Sequence, residues 1–276
     1  MQLSLQAGGV HLSNNSIFTM NGGTIRDNTI TTTAQWIGGG AGVYVGDSTF
    51  IMHGGTISDN TITSNFGGQQ AGAGVWVERS TFTMHGGLVD NNHITGNGDD
   101  LSGGGVSVRR TGAVQNQGSF IMHGGTISNN STPYHGGGLW VRGSEGTFQM
   151  HGGTITGNTS GRNGGGLAIL GATFNMTGGT ISNNNSENYS AGGVWVTAFA
   201  NSWMAENNPA AMMPGTFNMS GNATISGNTA RHGGGIMVGC YFADGSTVNI
   251  SENARIINNN AIRMRRWTWK WWTEFG

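Results

Sequence analysis

Phenylalanine and methionine alternate around a single intervening residue, two glycines follow, and Thr-Ile then leads to an asparagine three positions on. This phrase occupies residues 18–28 and returns at 50–60, 82–92, 120–130, 148–158 and 174–184, with looser copies at 217–228 and 248–259. Each copy holds short period-2 segments, the signature of strands buried on one face. In the first segment Phe and Met point inward, and the residue between them (Thr19, Ile51, Thr83, Ile121, Gln149, Asn175, Asn218) points out. The second segment is Thr-Ile-Ser, with Ile inward. The third follows another glycine cluster, at 43–45, 75–77, 106–108, 139–141, 167–169, 194–196 and 236–238, and its flanking aliphatic residues point inward. Val10, His11 and Leu12 read as the same strand of a partial first coil.

Three inward-facing strands recurring about eight times predict an all-β fold over residues 1–262, a single-stranded parallel β-helix with three short strands per coil. Strand stacking at ~4.8 Å makes eight coils roughly 38 Å long. The pattern predicts one column of Phe50, Phe82, Phe120, Phe148 and Phe174, beside a second of Met52, Met84, Met122, Met150 and Met176. Helical architectures are excluded, because no 3.6-residue period exists and glycine is too frequent for helix interiors. The Phe-to-Phe intervals are 32, 32, 38, 28, 26 and 43. Their variation falls mainly between the asparagine and the glycine cluster, so long loops are expected around 29–37, 61–70, 93–102 and 197–215.

The asparagine occurs in all eight copies, as Asn28, Asn60, Asn92, Asn130, Asn158, Asn184, Asn228 and Asn259. Asparagine tolerates the left-handed region, and its amide can bond the next copy along the stack, which predicts an asparagine ladder at one corner. The 52 glycines cluster at fixed repeat positions and lack the every-third-residue spacing of collagen. Only 9% of the 276 residues are charged and the net charge is -1, which gives specific nucleic-acid binding no global electrostatic basis. One cysteine, Cys240, excludes an internal disulfide framework. No apolar run is long enough to span a bilayer. The first residues lack the basic and apolar regions of a signal peptide, so none is expected in this chain.

These motifs resemble the glycine-rich right-handed β-helix repeats of bacterial surface proteins, including the polymorphic outer-membrane protein and adhesin-like families with their Gly-Gly-x-Ile motifs. The phrase here is Phe-x-Met-x-Gly-Gly-Thr-Ile, and the likeness covers about residues 8–262. It implies right-handedness, an extracellular or cell-surface location, and an adhesive or structural role.

Several columns could carry chemistry. His53, His85, His123 and His151 share one repeat position, and imidazoles at strand spacing can share a transition metal. No third ligand accompanies them in the motif, so neither a metal nor any other cofactor is expected. Asp27 and Asp59 are equivalent positions, and a solvated ladder is the plainer reading of them. Glycosidases and lyases need carboxylates converging in a groove, and no such cluster is legible, so the chain reads as a non-enzyme. The middle residues of the third segment include Tyr44, Trp76, Trp140 and Trp195, an aromatic column on an outward face. Loops covering it, a partner protein and a glycan all remain open. Thr24, Thr56, Thr126, Thr154, Thr180 and Thr224 form a threonine column of the kind ice-binding solenoids present, interrupted by Leu88 and Arg255.

The tail, residues 263–276, breaks the composition. It holds four of the nine tryptophans (Trp267, Trp269, Trp271, Trp272) together with Arg263, Arg265, Arg266 and Lys270. A β-helix must cover its open strand edge and apolar end, so this segment is either a cap or an assembly strand. The expected function is a non-catalytic structural or adhesive extracellular β-helix, with itself, another surface protein or a glycan as partner. The alternatives are a polysaccharide-binding or polysaccharide-cleaving β-helix and, behind them, an ice-binding solenoid.

Overall fold

A computed structural model describes residues 6–32, 39–64, 69–97, 100–109, 118–143, 146–199, 212–239 and 245–262. Strands in these segments stack in four parallel sheets of eight. The phenylalanine sheet runs from Ile17–Met20 through Ser119–Met122 to Thr247–Ile250. The threonine sheet runs from Thr24–Arg26 to Arg255–Ile257. The valine sheet runs from Val10–Leu12 through Leu139–Arg142 to Ile236–Val238. Every coil thus pairs in parallel with the copies before and after it, which is a parallel β-helix.

The fourth sheet is the addition to the expected three. Its strands, Thr29–Thr32, Thr61–Ser64, His93–Gly96, Ser131–Thr132, Thr159–Ser160, Asn185–Ser186, Thr229–Ala230 and Asn260–Ala261, begin directly after the ladder asparagine. Parts of the expected loops at 29–37, 61–70 and 93–102 are therefore strand. The inward residue of this sheet changes from Ile30, Ile62 and Ile94 to Thr132, Ser160, Ser186 and Ala230, all buried. A buried position that polar residues occupy in three consecutive coils, with alanine after them, leaves no hydrophobic period to read there.

The interior is built of columns. Phenylalanine rings from Phe18 to Phe217 stack with centroids 4.5–5.0 Å apart and planes within 15° of parallel. The strand step sets that spacing, and it suits offset aromatic stacking. Phe50 to Phe217 and Met52 to Met176 are fully buried. The second glycine of each Gly-Gly pair makes the bend between the phenylalanine and threonine sheets. Gly55, Gly87, Gly125, Gly153 and Gly179 have φ of 83–95°, and an added Cβ would meet the preceding coil's methionine Cε at 2.6–2.7 Å. Both the conformation and the contact demand glycine.

The asparagine ladder closes the next corner. Each ladder residue from Asn28 to Asn228 donates its backbone N–H and its Nδ2 to the Oδ1 of the next, at 2.8–3.1 Å. The left-handed residue at this corner is the one before the ladder residue. Asp27, Asp59, Asn91, Asn129, Gly157, Asn183, Gly227 and Asn258 have φ of 52–66°. That conformation accounts for a position restricted to Asp, Asn and Gly, and it gives the Asp27–Asp59 pair its structural reason.

Candidate functional site

Tyr44, Trp76, Trp140 and Trp195 point away from the main core, as the alternation requires, yet they are 1–5% exposed. They form a second interior cluster with Ala168 and Ala191. The glycine-rich segment before each valine strand folds back across them: a Cβ on Gly103 or Gly136 would lie 3.1 Å from the Cβ of Trp140. Of the three readings open for this outward column, cover is the one observed, because glycine lets the backbone pass directly over the rings. Tyr44 Oη donates to Glu78 Oε2 at 2.9 Å, and Arg79 bridges Glu78 to Asp47, with two bonds of 2.8–2.9 Å to the latter. Burial, followed by the Glu78 charge, pushes the Tyr44 hydroxyl pKa up, and the Arg79 hydrogen bonds hold the Asp47 carboxyl below its usual range. This is a structural ion network, with the guanidinium bound to both carboxylates.

The histidine column is present and exposed. His53, His85, His123 and His151 stack at 4.9–5.1 Å with planes within 20° of parallel. Parallel rings do not converge their nitrogens, and among the described residues no group of three or more His, Cys, Asp or Glu side chains could hold a metal ion. Trp267, Trp269, Trp271 and Trp272 lie outside the described residues.

A cleft of about 610 Å³ opens where the fourth sheet turns toward the valine sheet, lined by Pro133, Gly161, Arg162, Glu187, Asn188, Tyr189 and Arg231. Its key residues come from four successive coils. The backbone N–H of Arg162 donates to the Tyr134 carbonyl at 2.9 Å, and that of Arg231 to the Tyr189 carbonyl at 3.0 Å. Each arginine therefore sits one coil beyond a tyrosine. The Arg162 guanidinium lies 4.0 Å from the Tyr134 ring centroid and 5.9 Å from that of Tyr189, and its Nη2 donates to Tyr134 Oη at 3.3 Å. Arg231 Nη2 donates to Asn188 Oδ1 at 3.2 Å, while its buried Nε has no partner. Neither arginine makes an ion pair among the described residues. Tyr189 is 42% exposed.

His135 supports the cleft from beneath. Its ring lies 4.7 Å from that of Trp195 and meets Tyr134 edge-on, and its Nδ1 accepts the Asn163 backbone N–H. Burial and the Arg162 charge lower its pKa to about 3, so it is neutral at ordinary pH. This cleft was not legible in the sequence, since Tyr134, Arg162, Tyr189 and Arg231 lie in the variable part of the repeat. They lie four, four, five and three residues after their ladder asparagines, so no fixed spacing marks them.

The family model for the right handed beta helix region matches residues 5–208. That is more than half the chain, and the chain belongs to this family. No curated protein and no solved structure matches it.

Proposed function

We propose that this protein is a non-catalytic structural or adhesive β-helix of the cell exterior, joined to other copies of itself end to end. The observation that carries the reading is the last coil. Ile250, Ile256 and Ile257 are 38–50% exposed, whereas Met219 and Ile225, one coil earlier at the positions of Ile250 and Ile256, are at most 1% exposed. Among the described residues the strands Thr247–Ile250 and Arg255–Ile257 each have one neighbour, so their outer edges keep donors and acceptors for a further strand. At the other end the strand Ile17–Met20 also has one neighbour among the described residues. Contact between unlike ends is heterologous and propagates into a filament.

Electron microscopy of the full chain and of a chain lacking residues 263–276 tests this. Assembly through the tail predicts filaments that disappear on deletion, with the β signature kept. A tail that only caps its own coil predicts loss of stability and aggregation instead.

The Arg–Tyr cleft favours a second reading, polysaccharide binding or cleavage. A glycan array paired with a reducing-sugar assay on uronate polymers separates adhesion from turnover. Turnover abolished by one carboxylate substitution would replace the non-catalytic reading.

A further inference from the structure

Tyr134, Arg162, Tyr189 and Arg231 form an alternating aromatic and cationic column along the helix axis, one residue per coil. The two arginines are two coils apart, roughly 10 Å at the strand step. That is close to the length of one disaccharide unit of an extended polysaccharide. Tyr189 offers its half-open ring from the coil between them, and Glu187 lines the cleft from that same coil. We propose that this column binds a linear polysaccharide in which acidic sugars alternate with neutral ones. This rests on the polysaccharide-binding reading above and is independent of end-to-end association.

The chemistry follows from the side chains. Carboxylates two sugars apart accept from the guanidinium groups of Arg162 and Arg231, neither of which makes an ion pair among the described residues. Charge-assisted bonds to guanidinium are the stronger kind, and the fork of donors suits a planar carboxylate. The intervening neutral sugar lies on Tyr189, since the apolar face of a sugar ring packs on an aromatic face. A polymer with a charge on every sugar would bring one against the Glu187 carboxylate. The acidic residue thereby selects against uniformly charged chains.

The experiment is calorimetric titration of the full chain with hyaluronan oligosaccharides, whose uronates alternate with neutral amino sugars. Polygalacturonate oligosaccharides, acidic at every unit, and dextran, with no charge, are the comparison probes. The wild type should bind hyaluronan more tightly than polygalacturonate and ignore dextran. Arg162→Gln and Arg231→Gln should each weaken hyaluronan binding by about tenfold or more, as expected for a lost charge-assisted bond. Glu187→Gln should narrow the preference by improving polygalacturonate binding. Circular dichroism confirms that the variants stay folded, and their filament length, unchanged, separates this site from the assembly surfaces. Equal or tighter binding of polygalacturonate by the wild type would overturn the proposal, since that is attraction by charge density alone. Arginine variants that bind hyaluronan like the wild type, or no binding of hyaluronan at all, would overturn it as well.

Discussion

At the residue scale the repeat is a set of columns, and each column sets its own penalty for change. Phe120 stacks between Phe82 and Phe148 at 4.8 and 5.0 Å and is fully buried. Phe120→Ala should cost ~3–5 kcal/mol in denaturant unfolding, because the coils on either side cannot close over the cavity. Asn130 accepts two hydrogen bonds from Asn92 and donates two to Asn158. Asn130→Ala should cost at least ~2 kcal/mol, since buried donors on Asn92 lose their acceptor. His135 gives a pH dependence whose sign is fixed. Its folded pKa of about 3 lies below the ordinary value near 6.5, so between these pH values the unfolded chain takes up a proton that the folded one refuses. Stability therefore falls as pH drops through that window, by up to ~1.4 kcal/mol per pH unit. His135→Phe should flatten that part of the pH–stability curve. An unchanged acid slope would remove His135 as its cause.

At the element scale, legibility followed hydrophobic contrast. The phenylalanine, threonine and valine sheets were readable because their inward residues are apolar in nearly every coil and recur at fixed positions of the repeat. The fourth sheet was not, because Thr132, Ser160 and Ser186 occupy its buried position in the later coils. The covered aromatic cluster and the Arg–Tyr cleft were hidden for a related reason. Both depend on segments that cross over a strand or turn away from it, and periodicity along a strand says nothing of what lies above it. The fourth sheet makes its own prediction. Ser160 Oγ is buried without a partner, and Ala230 fills the equivalent position two coils later. Ser160→Ala should therefore be neutral or stabilising by up to ~1 kcal/mol in thermal or denaturant unfolding. A clear loss would mean that the hydroxyl has a partner.

At the scale of the whole molecule the described coils form a stack in which each pairs with its neighbours, and the proposed assembly acts through its terminal coils. The interior coils satisfy their own backbone and bury their own columns. Among the described residues the last coil leaves Ile250, Ile256 and Ile257 exposed beside a strand edge. Joining of the terminal coils is the central property proposed for the protein. The most direct measurement is the mass distribution by analytical ultracentrifugation across a dilution series, for the wild type and for the Ile250→Lys/Ile256→Lys double variant. End-to-end association predicts wild-type species at integer multiples of one chain, growing with concentration, and a double variant that stays a single folded unit throughout. A wild type that sediments as one unit at every concentration would contradict it.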